Sequence, residues 1–328
     1  MCIDNSNEKM KKEIGGYMEL EHFQGREMYP DLLKFNLART AFVWLLKNLK
    51  HERVFIPRYI CNSVPDSAAG AGFNVVFYSL DQNLEPVFKD NEEPGPEDIM
   101  YVVNYYGQLT YTQMGSYCQK YKNLIIDNAQ SFYTFPVPHA HTLYSPRKFF
   151  GLSDGAYLST NIQEPIDDLP IDRSSDRFSY LLGRFEDNAR DHYGDMLKAS
   201  EEFDNITPKR MSLLTENTLK AIDYQDVRRK RLDNYTTLSR LLPNKNTFNR
   251  VLPDCPFAYP YYCKDGVRLR KYLAGKNIFV PTNWSYLRGM PELDDLAYDW
   301  SCNILPLPVD QRYSEKEMHM IADAVRSF

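Results

Sequence analysis

Two short stretches of this 328-residue chain carry side chains that could do chemistry together. Residues 124–131 read Leu-Ile-Ile-Asp-Asn-Ala-Gln-Ser, so that an apolar run ends in Asp127. Residues 145–151 read Ser-Pro-Arg-Lys-Phe-Phe-Gly, so that Lys148 is followed by two aromatic residues and a glycine. The first stretch offers a carboxylate at the end of a buried strand, and the second offers an amine in apolar surroundings.

These two groups suggest Schiff-base chemistry. A lysine in apolar surroundings is less readily charged, and its neutral amine attacks carbonyl carbons. A cofactor with a pyridine ring needs an acid that keeps its ring nitrogen protonated. Asp127 and Lys148 are 21 positions apart (148 − 127), and many α/β proteins contain an aspartate with a lysine downstream. A surface lysine and a helix-capping aspartate are therefore the alternatives at this point.

The surrounding elements predict an α/β architecture for the first part of the chain. Apolar runs at 54–57, 74–78, 99–104 and 124–127 are typical of strands in a parallel sheet that helices cover on both faces. Helix-like segments at 63–70 and 111–121 lie between them. A further helix is predicted over the apolar run 41–46, with Asn36 or Thr40 as its cap.

From about Ile206 the pattern changes. We predict one long helix over residues 211–242 and a later helix near 267–273. Apolar segments at 260–263, 278–281 and 303–308 belong to the same part of the chain. Ser314 and Glu317 match a capping box for a terminal helix over 314–325. The chain is thus predicted to have a large domain, 1–205, and a smaller unit, 206–328, made of a linking helix and an α+β domain.

Composition excludes several classes of protein. The net charge of −5 lacks the basic excess expected of a nucleic-acid surface. No apolar run reaches the roughly 20 residues of a membrane span, and the polar N-terminus lacks a signal-peptide core, so we expect a cytoplasmic protein. Six scattered cysteines argue against a zinc ribbon or a disulfide framework. His139 and His141 lack neighbouring ligands and are expected to be exposed loop residues, so no metal site is predicted.

Several stretches resemble, in order, the DegT/StrS family of nucleotide-sugar aminotransferases. Residues 127–131 resemble the family's D-A-A-Q-S segment, and Lys148 falls at its Schiff-base lysine. The other corresponding segments are 36–41 (S-G-T-x-A-L), 104–107 (V-H-x-x-G), 154–158 (acidic-Gly-Gly) and 305–312 (L-P-x-D-x-R). The resemblance implies fold type I, with a mostly parallel sheet, and pyridoxal 5'-phosphate (PLP) as the cofactor.

The resemblance also implies roles for individual residues. Lys148 would hold PLP as a Schiff base and move the proton, Asp127 would pair with the pyridine nitrogen, and Gln130 would contact the phenolic oxygen. Backbone amides near Arg39 and Thr40 would hold the phosphate at a helix N-terminus.

Further cofactor contacts are implied less directly. The hydroxyls of Thr40 and Ser145 would add hydrogen bonds to the phosphate. Tyr59 and Tyr105 are the candidates for the ring that stacks on the cofactor. Family members are homodimers that share their sites, and residues 209–212 lie where the partner's contribution is expected.

The resemblance implies transfer of an amino group from an amino acid to a keto-sugar carried on a nucleotide, with L-glutamate as the expected donor. The product would serve the biosynthesis of a polysaccharide or a related glycan. Two alternatives stay open. One is a PLP-dependent sugar dehydratase, although related dehydratases have histidine where this chain has Lys148. The other is a PLP-binding regulatory or scaffold protein with little catalysis.

Overall fold

A computed structural model of the protein describes residues 14–89, 92–201, 207–289 and 294–328. Its centre is an eight-stranded sheet in the order β1-β8-β7-β6-β5-β2-β3-β4. The strands are β1 (Leu33–Phe35), β2 (Arg53–Pro57), β3 (Asn74–Leu80), β4 (Pro86–Val87), β5 (Ile99–Val103), β6 (Asn123–Asp127), β7 (His141–Tyr144) and β8 (Ala156–Ser159). Strands β3, β2, β5, β6 and β7 are parallel, whereas β1, β8 and β4 pair antiparallel.

The four strands predicted from apolar runs are confirmed as β2, β3, β5 and β6. Every residue of β5 is buried, which explains why its sequence is apolar throughout and does not alternate. Two predicted helices are confirmed as α2 (Ser63–Gly70) and α3 (Tyr111–Lys120). The alternation of strand and helix therefore predicted this part of the architecture.

Helix α1 (Ala38–Leu49) begins without the predicted side-chain cap. Leu37 occupies the N-cap position, and neither Asn36 nor Thr40 caps the helix. The Thr40 hydroxyl lies inside the first turn, 2.7 Å from Asn36 Oδ1 and 2.9 Å from the Leu37 carbonyl oxygen. The cap prediction was wrong because these two polar side chains bond to each other and leave the first backbone amides of α1 to other partners.

The predicted long helix over 211–242 is also wrong. The structure has two helices there, α6 (Leu213–Leu219) and α7 (Tyr224–Leu241). Asp223 separates them, because its side chain accepts a hydrogen bond from the Asp226 amide and so starts a new helix. Apolar and charged residues continue across the break, so the periodicity of the sequence does not reveal it.

The C-terminal part has its own core. Strands β9 (Tyr259–Tyr262) and β10 (Ile304–Leu307) form an antiparallel pair. The helices around them are α8 (Gly266–Gly275), α9 (Asp295–Asn303) and α10 (Glu315–Arg326). The predicted capping box of α10 is confirmed, with Glu317 accepting from the Ser314 amide at 2.8 Å. The predicted boundary between residues 205 and 206 lies outside the described residues.

Two helices between the sheet and residue 201 were not predicted. They are α4 (Ser179–Glu186) and α5 (Tyr193–Glu201), which contact each other and bury only Ala199 among their residues. No helix in the described part of the chain is both long and apolar enough to cross a membrane.

Candidate functional site

Asp127 is the last residue of β6 and lies at the carboxyl edge of the parallel strands, where ligands bind in open α/β sheets. Its side chain is largely buried, and both carboxylate oxygens accept hydrogen bonds. Tyr101 of β5 donates its hydroxyl to Oδ2 at 2.9 Å, and the Ala129 amide donates to Oδ1 at 2.8 Å. The carboxylate is thereby fixed in one orientation at the edge of the sheet.

Tyr101 was not identified from the sequence as a partner of Asp127, although its place on the neighbouring strand indicates this role. Tyr101 pairs with Ile125 and Val103 with Asp127 in the register of β5 and β6, so Tyr101 and Asp127 point to the same face. Burial, followed by the nearby Asp127 charge, raises the pKa of the Tyr101 hydroxyl well above its usual value. Tyr101 is therefore a neutral hydroxyl that donates to the Asp127 carboxylate.

Gln130 lies one turn beyond Asp127 and is also buried. Its side-chain oxygen accepts a hydrogen bond from the Tyr106 amide at 3.1 Å, which leaves the amide nitrogen for another acceptor. Tyr106 and Gly107 have φ of 52° and 76°, so the backbone turns sharply here. This turn follows β5 and brings the segment 104–107 against Gln130, as the shared sheet edge requires.

Lys148 ends a short 3-10 turn, Pro146–Lys148, that follows β7 at the same edge. The neighbouring Phe149 and Phe150 are buried, but the Lys148 side chain is exposed. The expectation of apolar surroundings for this lysine is therefore wrong for the single chain. The turn directs the two rings into a core cluster and leaves the lysine on the outside.

The third component of the site is the N-terminus of α1. Strand β1 ends beside the start of β8, which places the first turn of α1 at the same sheet edge. Within the helix the first amide with an i−4 acceptor is that of Ala41, which bonds to the Leu37 carbonyl at 3.0 Å. The amides of Ala38, Arg39 and Thr40 precede it, and such a helix start binds anions.

Two arginines lie at this sheet edge, Arg39 in the first turn of α1 and Arg147 in the turn that follows β7. Burial lowers the pKa of the Arg147 guanidinium below its usual range, and the nearby positive charge of Arg39 lowers it further. Tyr180 of α4 and Asp154 act in the opposite direction. Like charges held close together favour a bound anion, so Arg39, Arg147 and the helix start fit a phosphate group.

Four predicted cofactor contacts are placed less favourably. The Thr40 hydroxyl is fully buried within its own helix turn. Tyr105 is 2% exposed and donates its hydroxyl to the Tyr59 carbonyl, while the Tyr59 ring packs against Trp284 at 4.2 Å between centroids. Neither ring is open for stacking in this conformation. Ser145 is partly exposed, and its carbonyl accepts from the Lys148 amide at 3.2 Å.

Residues 209–212 make contacts within their own chain. The Lys209 carbonyl accepts from the Asn36 amide at 3.0 Å, directly before α1. Lys209 Nζ lies 3.3 Å from Asp172, and Ser212 donates its amide to Asp154 at 2.8 Å. The segment thus borders the helix start from the same chain.

The two histidines differ from each other. His139 is exposed as expected, but the prediction for His141 is wrong, because it lies buried in β7 with Nδ1 2.8 Å from the Thr160 hydroxyl. Burial lowers the pKa of His141 to about 4. No group of three or more metal-ligating side chains is found within the described ranges.

Comparison with known proteins places the fold. No family model and no curated protein matches the chain. Among solved structures, DesV of S. venezuelae in complex with a ketimine intermediate has 15% identity and a TM-score of 0.63, over 90% of this chain and 84% of that chain. Spr1654 of Streptococcus pneumoniae, a sugar aminotransferase candidate in its PLP-form, has 12% identity and a TM-score of 0.62, over 93% and 88%.

A DegT DnrJ EryC1 StrS aminotransferase from Brucella abortus has 15% identity and a TM-score of 0.61, over 90% of this chain and 85% of that chain. These likenesses confirm the predicted α/β fold with its mostly parallel sheet. At such low identity they establish the fold, and the activity has to be argued from the residues of the site.

Proposed function

We propose that this protein is a PLP-dependent aminotransferase that moves an amino group from an amino acid to a keto-sugar carried on a nucleotide. L-Glutamate is the expected amino donor. The observation that carries the proposal is the meeting of three groups at one sheet edge. These are the Asp127 carboxylate, the Lys148 amine and the positively charged start of α1 beside Arg39 and Arg147. An acid, a nucleophilic amine and an anion site are the groups that PLP requires.

Each residue has a separate task in this proposal. Asp127, held by Tyr101, pairs with the pyridine nitrogen and keeps it protonated. Lys148 would bind the cofactor aldehyde and move the proton between the two carbons that flank the imine nitrogen. The α1 amides with Arg39 and Arg147 hold the phosphate, and Gln130 directs its amide nitrogen to the phenolic oxygen. When bound, the cofactor ring supplies an electron sink.

The exposure of Lys148 supports a homodimer in which a second copy covers the site. Helices α4 and α5 carry exposed apolar side chains next to Tyr180, which contacts Arg147. These side chains are Leu182, Phe185, Tyr193 and Leu197, with 56%, 90%, 56% and 44% exposed. Leu182 and Phe185 are three positions apart in α4, and Tyr193 and Leu197 are four positions apart in α5, so each pair lies on one face of its helix. Exposed apolar side chains grouped in this way mark an interaction site.

Sedimentation of the purified protein tests the homodimer. We expect a dimer for the wild type and a shift toward monomer for Phe185→Asp, because a carboxylate would enter the apolar surface. Val267→Asp, on the exposed side of α8, is the matched control and should remain dimeric. A wild-type monomer at all concentrations would contradict this part of the proposal.

The activity is tested through its first half-reaction. Protein loaded with PLP and mixed with L-glutamate should release 2-oxoglutarate in an amount equal to the bound cofactor, because the amino group stays on the cofactor until an acceptor arrives. Lys148→Ala is the control and should release none. A protein that binds PLP but releases no keto acid from any amino acid would favour a regulatory or scaffold role.

A further inference from the structure

Arg231 of α7 is a buried cation whose hydrogen-bond acceptors are all uncharged. Its side chain is 2% exposed. The Nε atom donates to Gln311 Oε1 at 2.8 Å, and Nη1 donates to the carbonyls of Pro256 and Phe257 at 3.0 and 3.2 Å. The Nη2 atom donates to the Phe149 carbonyl at 3.0 Å, and the guanidinium lies 4.7 Å from the centroid of the Phe149 ring.

Gln311 completes this arrangement from the loop after β10. Because its side-chain oxygen accepts from Arg231, its amide nitrogen faces the Phe149 carbonyl and donates to it at 2.8 Å. One carbonyl oxygen therefore accepts two hydrogen bonds, both from the C-terminal part of the chain. Gln311 lies inside the segment 305–312 that resembles a family motif, although no residue pattern in that segment connects it to Lys148.

The Phe149 carbonyl matters because of its position in the chain. Phe149 directly follows Lys148, and its amide donates to the Pro146 carbonyl at 2.9 Å. Its backbone is thus held on the amide side by the turn and on the carbonyl side by Arg231 and Gln311. Fixing both sides of this residue fixes the direction in which the Lys148 side chain leaves the backbone.

Stability alone explains the buried arginine poorly. Burying a charge carries a large solvation cost, and replacing such a group by an apolar side chain of similar size is often neutral or stabilising. An arginine that makes four hydrogen bonds in fixed directions does, however, hold a backbone segment more rigidly than an apolar residue. These four hydrogen bonds are therefore suited to orienting a neighbouring functional group, which here is the side chain of Lys148.

We propose that Arg231 and Gln311 are positioning residues for Lys148, so that the C-terminal part of the chain presents the cofactor lysine at the sheet edge. This inference rests on the proposed function, because the role of Lys148 belongs to it. Arg231 and Gln311 touch neither substrate nor cofactor in this account, and act through the Phe149 carbonyl.

Gln311→Glu is the decisive variant, because replacement of Arg231 would leave buried carbonyls unpaired and endanger folding. A glutamate at 311 still accepts from Arg231 but no longer donates to Phe149. Arg312→Gln is the matched control: it changes the net charge by the same amount at the next position, and Arg312 pairs with Asp310 instead. Amide hydrogen exchange of the cofactor-free protein, and the rate at which added PLP forms a Lys148-dependent absorption band, are then measured.

In Gln311→Glu we expect exchange at residues 149–152 to accelerate about tenfold and the band to form about tenfold more slowly, with Arg312→Gln within twofold of wild type. Unchanged exchange, or faster exchange with an unchanged rate of band formation, would overturn the positioning role. A wild-type protein that forms no Lys148-dependent band would overturn the proposed function, and this inference with it. The wild-type band therefore separates the two failures: its absence points to the proposed function, and its presence with equal rates in wild type and Gln311→Glu points to the positioning role.

Discussion

Replacement of Tyr101 by phenylalanine removes one of the two hydrogen bonds that hold the Asp127 carboxylate. The bond measures 2.9 Å and is buried, and a hydrogen bond to a charged group contributes about 1.5–3 kcal/mol. If the ionised carboxylate holds the cofactor ring, this loss should weaken PLP binding by about 10- to 100-fold. Equilibrium titration of the cofactor-free protein with PLP, followed by absorbance, measures the change.

Tyr78→Phe is the control for this substitution. Tyr78 is a buried tyrosine on the neighbouring part of the sheet, and its hydroxyl donates to the Tyr101 carbonyl at 2.8 Å without touching Asp127. Tyr101→Phe should lose about 1.5–3 kcal/mol of folding stability and Tyr78→Phe about 1 kcal/mol, but only Tyr101→Phe should lose affinity for PLP. The difference should persist up to about pH 10, because burial raises the pKa of Tyr101 well above that value. Equal affinity in the two variants would refute the reasoning.

Two further predictions concern the stability of the scaffold. Gly107→Ala should lower the free energy of unfolding by about 1–3 kcal/mol, because Gly107 has φ of +76° and an added Cβ would lie 2.7 Å from Pro253 Cβ. Gly115→Ala is the control and should not destabilise the protein, because an added Cβ there has no neighbour within 4 Å. Denaturant titration of the two variants measures the difference. His141 has a folded-state pKa of about 4, below its usual 6.5, so the unfolded chain takes up a proton first as the pH falls. The free energy of unfolding should therefore decrease by up to about 3 kcal/mol between pH 6.5 and 4. Thermal melts of His141→Asn should depend less on pH over this range. Identical pH profiles for the wild type and this variant would contradict the lowered pKa of His141.

Much of the site was predictable because it lies at strand ends. An apolar run that ends in a carboxylate, as at residues 124–127, places that carboxylate at the sheet edge, and the structure has Asp127 there. The α1 start lies at the same edge because β1 and β8 pair antiparallel. The antiparallel edge itself was not predictable from local patterns, since it depends on pairing between distant segments.

The exposure of Lys148 shows where local reasoning fails. Aromatic neighbours suggested an apolar pocket, but a three-residue turn separates the direction of the lysine from that of the rings of Phe149 and Phe150. Contacts between distant segments, such as that of Gln311 with Phe149, could not be predicted either, because the residue pattern of one segment does not indicate which other segment it contacts. The break at Asp223 was missed for a different reason, since one capping side chain outweighed the continuing helical pattern.

Covalent trapping of the cofactor tests the central claim most directly. The protein is incubated with PLP, reduced with borohydride, digested and mapped by mass spectrometry, with Lys148→Ala treated in parallel. We expect the reduced cofactor on the peptide that contains Lys148 in the wild type and on no specific peptide in the variant. Labelling scattered over surface lysines, or equal in the two proteins, would contradict the assignment of Lys148 as the cofactor lysine.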